Sequence, residues 1–293
     1  MLRVGHISYA NCTPLFYALT KHHDCSNYIF VKGVPSELNS LLLKGEIDLS
    51  PSSSIELARH RDLYFFLPNL SISSFGRVSS IILFSRVPIE DLNHERIALT
   101  QASTTSSILL RIIMSEFLKK ENTFHEEAGH LDYVLRRYKA FLLIGDDALK
   151  AVIGYRLQVS SVKQNSELFL YDLGELWYKF TDLPFVFALW LLRKDVLREK
   201  EVEVEVLLKS LLSAKEIAYR SFNEIFEEVD EKEWMTKDSL IGYWNRISYD
   251  LNNTHFEGLK EFYRYAEKLS LIEQMLPLES YIIPTKETER RQS

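Results

Sequence analysis

The chain has 293 residues, 46% of them apolar and 26% charged, with a net charge of −6. That composition excludes a disordered or linker-rich chain and is enough to bury one large core or two smaller ones. Residues 1–200 are almost neutral, with 23 Lys and Arg against 22 Asp and Glu, so a general nucleic-acid-binding role has no support; the acidic excess sits in 201–250, with 6 against 12.

The opening MLRVGHISYANCTP does not read as a secretory signal, and no run of eighteen apolar residues occurs. A cytoplasmic protein without a membrane span is expected. Leu2 to Ile7 reads as a first strand, and Pro14 opens a helix, since proline fits the first turn. Tyr28 to Val31 reads as a second strand. Pro35 starts a second helix, and Gly45 is its expected stop. A brief strand is expected at Ile47–Leu49, then a serine-rich turn and a helix through IELARH. This β-α-β-α-β-α order argues for a mainly parallel sheet covered by helices.

Further strands are expected at Leu63–Leu67, Ser79–Ser85, Arg96–Thr100, Phe141–Ile144, Leu168–Tyr171 and Phe185–Leu192. Thr105 to Lys119 has helical spacing, with Ile108, Leu109, Ile112, Ile113 and Leu118 on its apolar side. Leu173 to Phe180 reads as a helix. After residue 195 the pattern turns helical, with one helix expected from Val202 to Phe226 and others over 236–248 and 255–272. Two lobes follow: 1–85 with 185–293, and 86–184, with crossings near Ser85 and Pro184. A cleft between two α/β lobes is the natural ligand site.

Common catalytic motifs are absent: there is no GxGxxG after the first strand, no GxxxxGK[ST], no HExxH and no GxSxG. Cys12 and Cys25 make neither a disulfide framework nor a zinc set, and the eight histidines are scattered. No metal or cofactor is expected. What stands out is a series of small polar residues at expected strand ends: Ser8, Asn11 and Thr13; Ser50 and Ser52 to Ser54; Ser79 and Ser80; Ser103 to Ser107. Three of these groups precede helices, whose N-termini offer free N–H groups and partial positive charge to carboxylates or phosphates. Simple capping and turn formation explains the same residue types. Tyr9 and Phe75 are candidates for an aromatic wall. Asp146 and Asp147 either face the cleft or cap the next helix. Glu175 is a possible acid or base with an equally plain helix-start explanation.

The stretches VGHISYANCTPLF, GVPSELNSLLLKGEIDLSPSSSIELAR, LPNLSISSFGRVSSIILFSRVPIEDL and ALTQASTTSSILLR, extended by IGDDAL, DLGELW and LPFVFALW, resemble in order the chorismate dehydratases of the futalosine route to menaquinone. The resemblance covers about residues 3–195. It implies a type II periplasmic-binding-protein-like fold with a helical C-terminal part on the first lobe. The implied reaction is loss of water from chorismate, giving 3-[(1-carboxyvinyl)oxy]benzoate. The dihydroxynaphthoate synthases of the same route share the fold and are the alternative, as is a non-catalytic small-anion binding protein. The resemblance places Asn11 at the family's essential asparagine. It implies substrate contacts for Ser80 and for the segment Ser103, Thr104, Thr105 and Ser106; Ser8, Tyr9, Ser52, Ser53 and Asp146 complete the expected substrate-binding set. The implied partner is a small dianion, not nucleic acid or membrane. Three positions depart from the family wording: Arg77 where proline is usual, Ala10 for leucine and Asp182 for glycine.

Overall fold

A computed structural model describes residues 1–161, 168–274 and 277–284. The chain begins with β1 (Leu2–Ile7), α1 (Thr13–His22), β2 (Tyr28–Gly33), α2 (Pro35–Lys44), β3 (Leu49–Ser53), α3 (Ser54–Arg59) and β4 (Tyr64–Ser74). A second unit follows with β5 (Ile81–Ser85), β6 (Arg96–Leu99), α4 (Thr104–Ile112), β7 (Thr123–Glu126), α5 (Leu131–Val134), β8 (Ala140–Ile144), α6 (Gly145–Ser161), β9 (Phe169–Asp172) and α7 (Leu173–Thr181). Then β10 (Phe185–Arg193) leads into α8 (Lys194–Glu199), α9 (Glu201–Arg220), α10 (Phe222–Glu228), α11 (Lys237–Trp244) and α12 (Asn253–Lys268). Among the described residues, no helix is long and apolar enough to cross a membrane.

The strands form two five-stranded sheets, in the orders β2-β1-β3-β10-β4 and β7-β6-β8-β5-β9. Each defines a lobe, so the molecule is a two-lobed α/β structure. The C-terminal helices pack on the first sheet, α9 against α1 and β4, and α12 against β10. Local signals explain the first elements. Pro14 and Pro35 lie in the first turns of α1 and α2, and Gly45 ends α2 in the left-handed region at φ 76°.

Other boundaries differ from the sequence expectation. The strand expected at 47–49 runs instead through Leu49–Ser53, so the serines lie inside the sheet, paired with β10 from Ser53 opposite Ala188 to Leu49 opposite Leu192. The first sheet is mixed: β1 runs parallel to β2 and β3, while β10 is antiparallel to β3 and β4 because it returns from the other lobe. The strand Ile81–Ser85 belongs to the second sheet. The first crossing therefore lies in 75–80 rather than near Ser85. The helix expected to reach Lys119 widens after Ile112, where Leu118 N–H bonds to Ile113 C=O, a π turn. The single helix expected over 202–226 breaks at Ser221 into α9 and α10.

Asp172 ties the first crossing to the start of α7. Its carboxylate caps α7 by accepting from Gly174 and Glu175 N–H at 3.0 and 3.1 Å. It also accepts from Val78 and Ser79 N–H at 3.1 and 2.6 Å. Burial pushes its pKa up, and these amides oppose that shift. Gly174 permits the approach, since a Cβ there would stand 2.5 Å from Gly76 C=O.

Candidate functional site

The cleft lies between the lobes, at the C-terminal ends of β1, β3 and β8, where open α/β sheets commonly bind ligands. The first lobe contributes Tyr9 and Asn11 from the turn after β1, Pro35 from the start of α2, Ser53 from the end of β3, and Phe187 and Ala188 from β10. Val78 and Ser80 come from the first crossing. The second lobe adds Ser103 and Ser106 from the start of α4 and Ile144 with Gly145 from the junction of β8 and α6. The cleft's free space is about 50 Å³. Pockets that hold small organic ligands usually measure roughly 300 Å³ or more, so the lobes are closed and must part to admit one.

The turn that carries Asn11 is fixed mainly by main-chain bonds. Cys12 N–H bonds to Tyr9 C=O at 2.9 Å, and Ser8 N–H to Gly33 C=O at 3.1 Å. Trp244 Nε1 donates to Ala10 C=O and Tyr249 hydroxyl to Asn11 C=O, both at 2.8 Å. The side chain of Asn11 is left uncommitted, and its Oδ1 is buried without a hydrogen-bond partner. A buried polar atom without a partner costs about 1–3 kcal/mol, and here it faces the cleft.

At the facing edge, Ser103 caps α4, its Oγ accepting from Ser106 N–H at 3.3 Å. The two hydroxyl oxygens are 3.2 Å apart, and the first N–H groups of α4 lie beside them. No side chain lining this cleft carries a formal charge at neutral pH. Tyr9 stays a neutral phenol, because burial first, and then Asp147 and Asp146, push its pKa above the ordinary value. Cys12, next to Asn11 in sequence, is fully buried, and burial keeps it a thiol; its pKa is pushed far up. The arrangement offers neutral donors to a small anion and presents no side chain poised as a general base.

Of the residues expected from sequence, Tyr9, Asn11, Ser53, Ser80, Ser103 and Ser106 meet in this cleft. The others sit nearby but do not line it. Ser8 is exposed and faces a neighbouring groove with Thr13 and Lys32. Ser52 is buried on the opposite face of β3, since side chains alternate along a strand. Thr104 is half-buried beside the cleft. Thr105 turns to the first lobe, where its Oγ1 accepts from Ile55 N–H at 3.2 Å. Asp146 accepts from Ala10 N–H at 2.9 Å and borders the neighbouring groove. Phe75 is exposed and meets His255 edge-on at 5.0 Å, away from the cleft.

Sequence reading missed the apolar walls, Ile72, Ile144 and Phe187, which look like ordinary strand residues. It also missed Trp244 and Tyr249, whose partners lie more than 200 residues away in sequence. Gly145 carried a stronger signal, because it follows a strand and precedes two aspartates. It sits at φ 61°, and a Cβ there would lie 2.7–2.8 Å from the Tyr9 ring. Among the described residues, no three His, Cys, Asp or Glu side chains are grouped to hold a metal ion.

Comparison with known proteins gives a consistent result. A family model described as menaquinone biosynthesis matches residues 2–268. A chorismate dehydratase of Thermus thermophilus is 32% identical over 273 residues, covering 92% of this chain and 95% of that protein. A chorismate dehydratase of Campylobacter jejuni is 30% identical over 209 residues, covering 70% of this chain and 72% of that protein. Among solved structures, protein AF1704 of Archaeoglobus fulgidus superposes with a TM-score of 0.73 at 21% identity, covering 92% of this chain and 98% of that one. The alkanesulfonate-binding protein of Xanthomonas axonopodis pv. citri, bound to MOPS, gives 0.67 at 12% identity, covering 96% and 97%. At these identities the two structures speak for the fold alone, the two-lobed one of periplasmic binding proteins.

Proposed function

The chain belongs to the menaquinone-biosynthesis family, alongside the chorismate dehydratases, and on that premise we propose that it removes water from chorismate in the cytoplasm. The product is 3-[(1-carboxyvinyl)oxy]benzoate. The observation that carries the mechanism is a closed cleft lined by hydroxyls, one amide and helix N-terminal N–H groups, with no ionised side chain.

The substrate explains why such a site suffices. The C3 proton is acidified through the ring diene by the C1 carboxylate. Removing it while the C4 hydroxyl departs forms the C3–C4 double bond and aromatises the ring; the proton taken from C3 and the departing hydroxide together make up the water lost. The base is the carboxylate of the enolpyruvyl group, the role implied by the family. The protein has three tasks: to hold the two carboxylates, to bring the enolpyruvyl carboxylate over C3, and to stabilise charge moving into the C1 carboxylate and the leaving oxygen. Ser103, Ser106 and the start of α4 hold a carboxylate from the second lobe. Asn11 supplies both an N–H donor and a carbonyl acceptor at the leaving hydroxyl. Tyr9, Ser53 and Ser80 complete the enclosure.

The direct test is to incubate the purified protein with chorismate and look for loss of one water by mass. Tight binding without that loss would make the protein a receptor. Ser106→Ala should weaken chorismate binding by roughly 10- to 100-fold, the range of a hydrogen bond to a charged group. Its melting temperature should stay nearly unchanged, because the Ser103 cap survives; unchanged binding would remove this hydroxyl from the site. Gly145→Ala should impair closure, since the new methyl group meets Tyr9 and the backbone is left-handed there. With chorismate present, small-angle scattering should show a larger radius of gyration than for the parent protein. An equally compact complex would show that Tyr9 can yield.

A further inference from the structure

The turn 8–12 has one main-chain donor bound from the other lobe. Ser8, Cys12 and the carbonyls of Ala10 and Asn11 all pair within the first lobe. The Ala10 N–H instead meets Asp146 Oδ1, in the first turn of α6 in the second lobe. Ala10 is wholly buried and immediately precedes Asn11. Any opening of the cleft must stretch or break this bond, while the bonds within the first lobe can persist.

We infer that Asp146 is a positioning residue: on closure its carboxylate takes the Ala10 amide and sets the turn so that Asn11 presents its side chain to the substrate. This rests on the reading of the cleft as a chorismate dehydratase site. It assigns Asp146 a role through Asn11, in place of a contact with substrate. A second grip flanks the cleft on its other side, where Thr105 Oγ1 takes the Ile55 N–H. In both cases a second-lobe helix start puts one residue into the cleft wall, Gly145 or Ser106, and a neighbouring residue onto the main chain of the first lobe.

The plain alternative is that Asp146 only stabilises the start of α6. Its surroundings argue against that as its main work. Asp147 and Lys150 of its own helix, Glu231 of the turn at 230–233, the Cys12 thiol and the Tyr9 and Tyr243 phenols all bear on it. Burial, and then Glu231 and Asp147, push its pKa up to about 6, while the Ala10 amide and Lys150 oppose the rise. An aspartate whose folded pKa exceeds its unfolded value is a cost to folding above that pKa, relieved as pH falls through it. At neutral pH the ionised Asp146 thus costs stability, and its bond to Ala10 is the charge-assisted kind that weakens on protonation.

The test uses the full-length protein, Asp146→Ala and Asp146→Asn. Asp146→Ala should lower the single-turnover rate on chorismate by about 100-fold, the scale of a misplacement near 1 Å. It should speed hydrogen exchange at the Ala10 amide and leave the melting temperature at pH 7.5 unchanged or raised. Asp146→Asn keeps an oxygen acceptor without the charge, so it should recover part of the rate. The parent's rate should decline below about pH 6 as Asp146 takes up a proton, and Asp146→Asn should not show that decline. A rate within threefold of the parent for Asp146→Ala would overturn the inference. So would a rate loss matched by a lower melting temperature with no recovery in Asp146→Asn. Failure of the parent protein to dehydrate chorismate would overturn the functional reading and this inference together, whereas an active parent with an indifferent Asp146 would overturn this inference alone.

Discussion

Asn11→Ala should reduce the single-turnover rate of chorismate dehydration by at least about 100-fold while changing chorismate affinity far less. The expectation rests on what holds the residue and what does not. Its carbonyl is held by Tyr249 and the preceding carbonyl by Trp244, so the backbone of the turn should survive the substitution. Its side-chain oxygen is buried without a partner and faces the cleft. A group that meets its partner only when substrate is aligned contributes most as charge develops at the leaving oxygen. An amide does not titrate near neutral pH, so its work is alignment and hydrogen bonding, not proton transfer. If Asn11 merely capped α1, its loss would cost about 1 kcal/mol of stability and leave the rate alone. The structure gives the N-cap position of α1 to Cys12 and finds no side-chain cap there. Rate, binding and melting temperature measured on one preparation separate the two roles. A rate within threefold of the parent would discard the catalytic one.

Gly258→Ala should lower the melting temperature by about 5 °C. Gly258 lies in α12, where the helix crosses the chain at the second passage between lobes. A Cβ at 258 would stand 2.1 Å from the carbonyl oxygen of Pro184 and 3.2 Å from its carbon. Both are backbone atoms and cannot rotate away. In an isolated helix the same change would gain roughly 1 kcal/mol. Here the helix must shift off the sheet, which loosens Phe262 from Phe185, 4.9 Å away between ring centres, and from Trp177. Overpacking of this kind costs about 1–3 kcal/mol or more, and in a protein of this size each kcal/mol lowers the melting temperature by roughly 2–4 °C. Thermal unfolding followed by circular dichroism is sufficient. An unchanged or higher melting temperature would show that α12 can slide along the crossing without loss.

The early α/β order could be read because its punctuation is local: Pro14, Pro35 and Gly45 act within one turn of where they stand. The extent of β3 could not, because serine and proline are poor strand formers and are held there by β10. The apolar run Phe185–Leu192 announces a buried strand, but its direction depends on where the chain has come from. The crossing at 75–80 is set by Asp172, more than ninety residues away. The same distinction governs the cleft. Ser52 and Ser53 are alike in sequence, and the alternation of one strand sends them to opposite faces. Thr105 and Ser106 are adjacent on α4, and one turns to the other lobe while its neighbour lines the cleft. Residue type marked the neighbourhood, and register chose among its members. The tail after 284 lies outside the described residues.

The narrowness of the shut cleft has a consequence for inhibitors. With only about 50 Å³ free between the lobes, a ligand enters the open form alone, so its measured affinity is scaled by the fraction of molecules open at any instant. Compounds that mimic the bound diacid should associate slowly, at a rate limited by opening, and then remain trapped. Soaking shut crystals would fail to load them where growing crystals from the mixture succeeds. A substitution that favours opening would speed capture and shorten residence together.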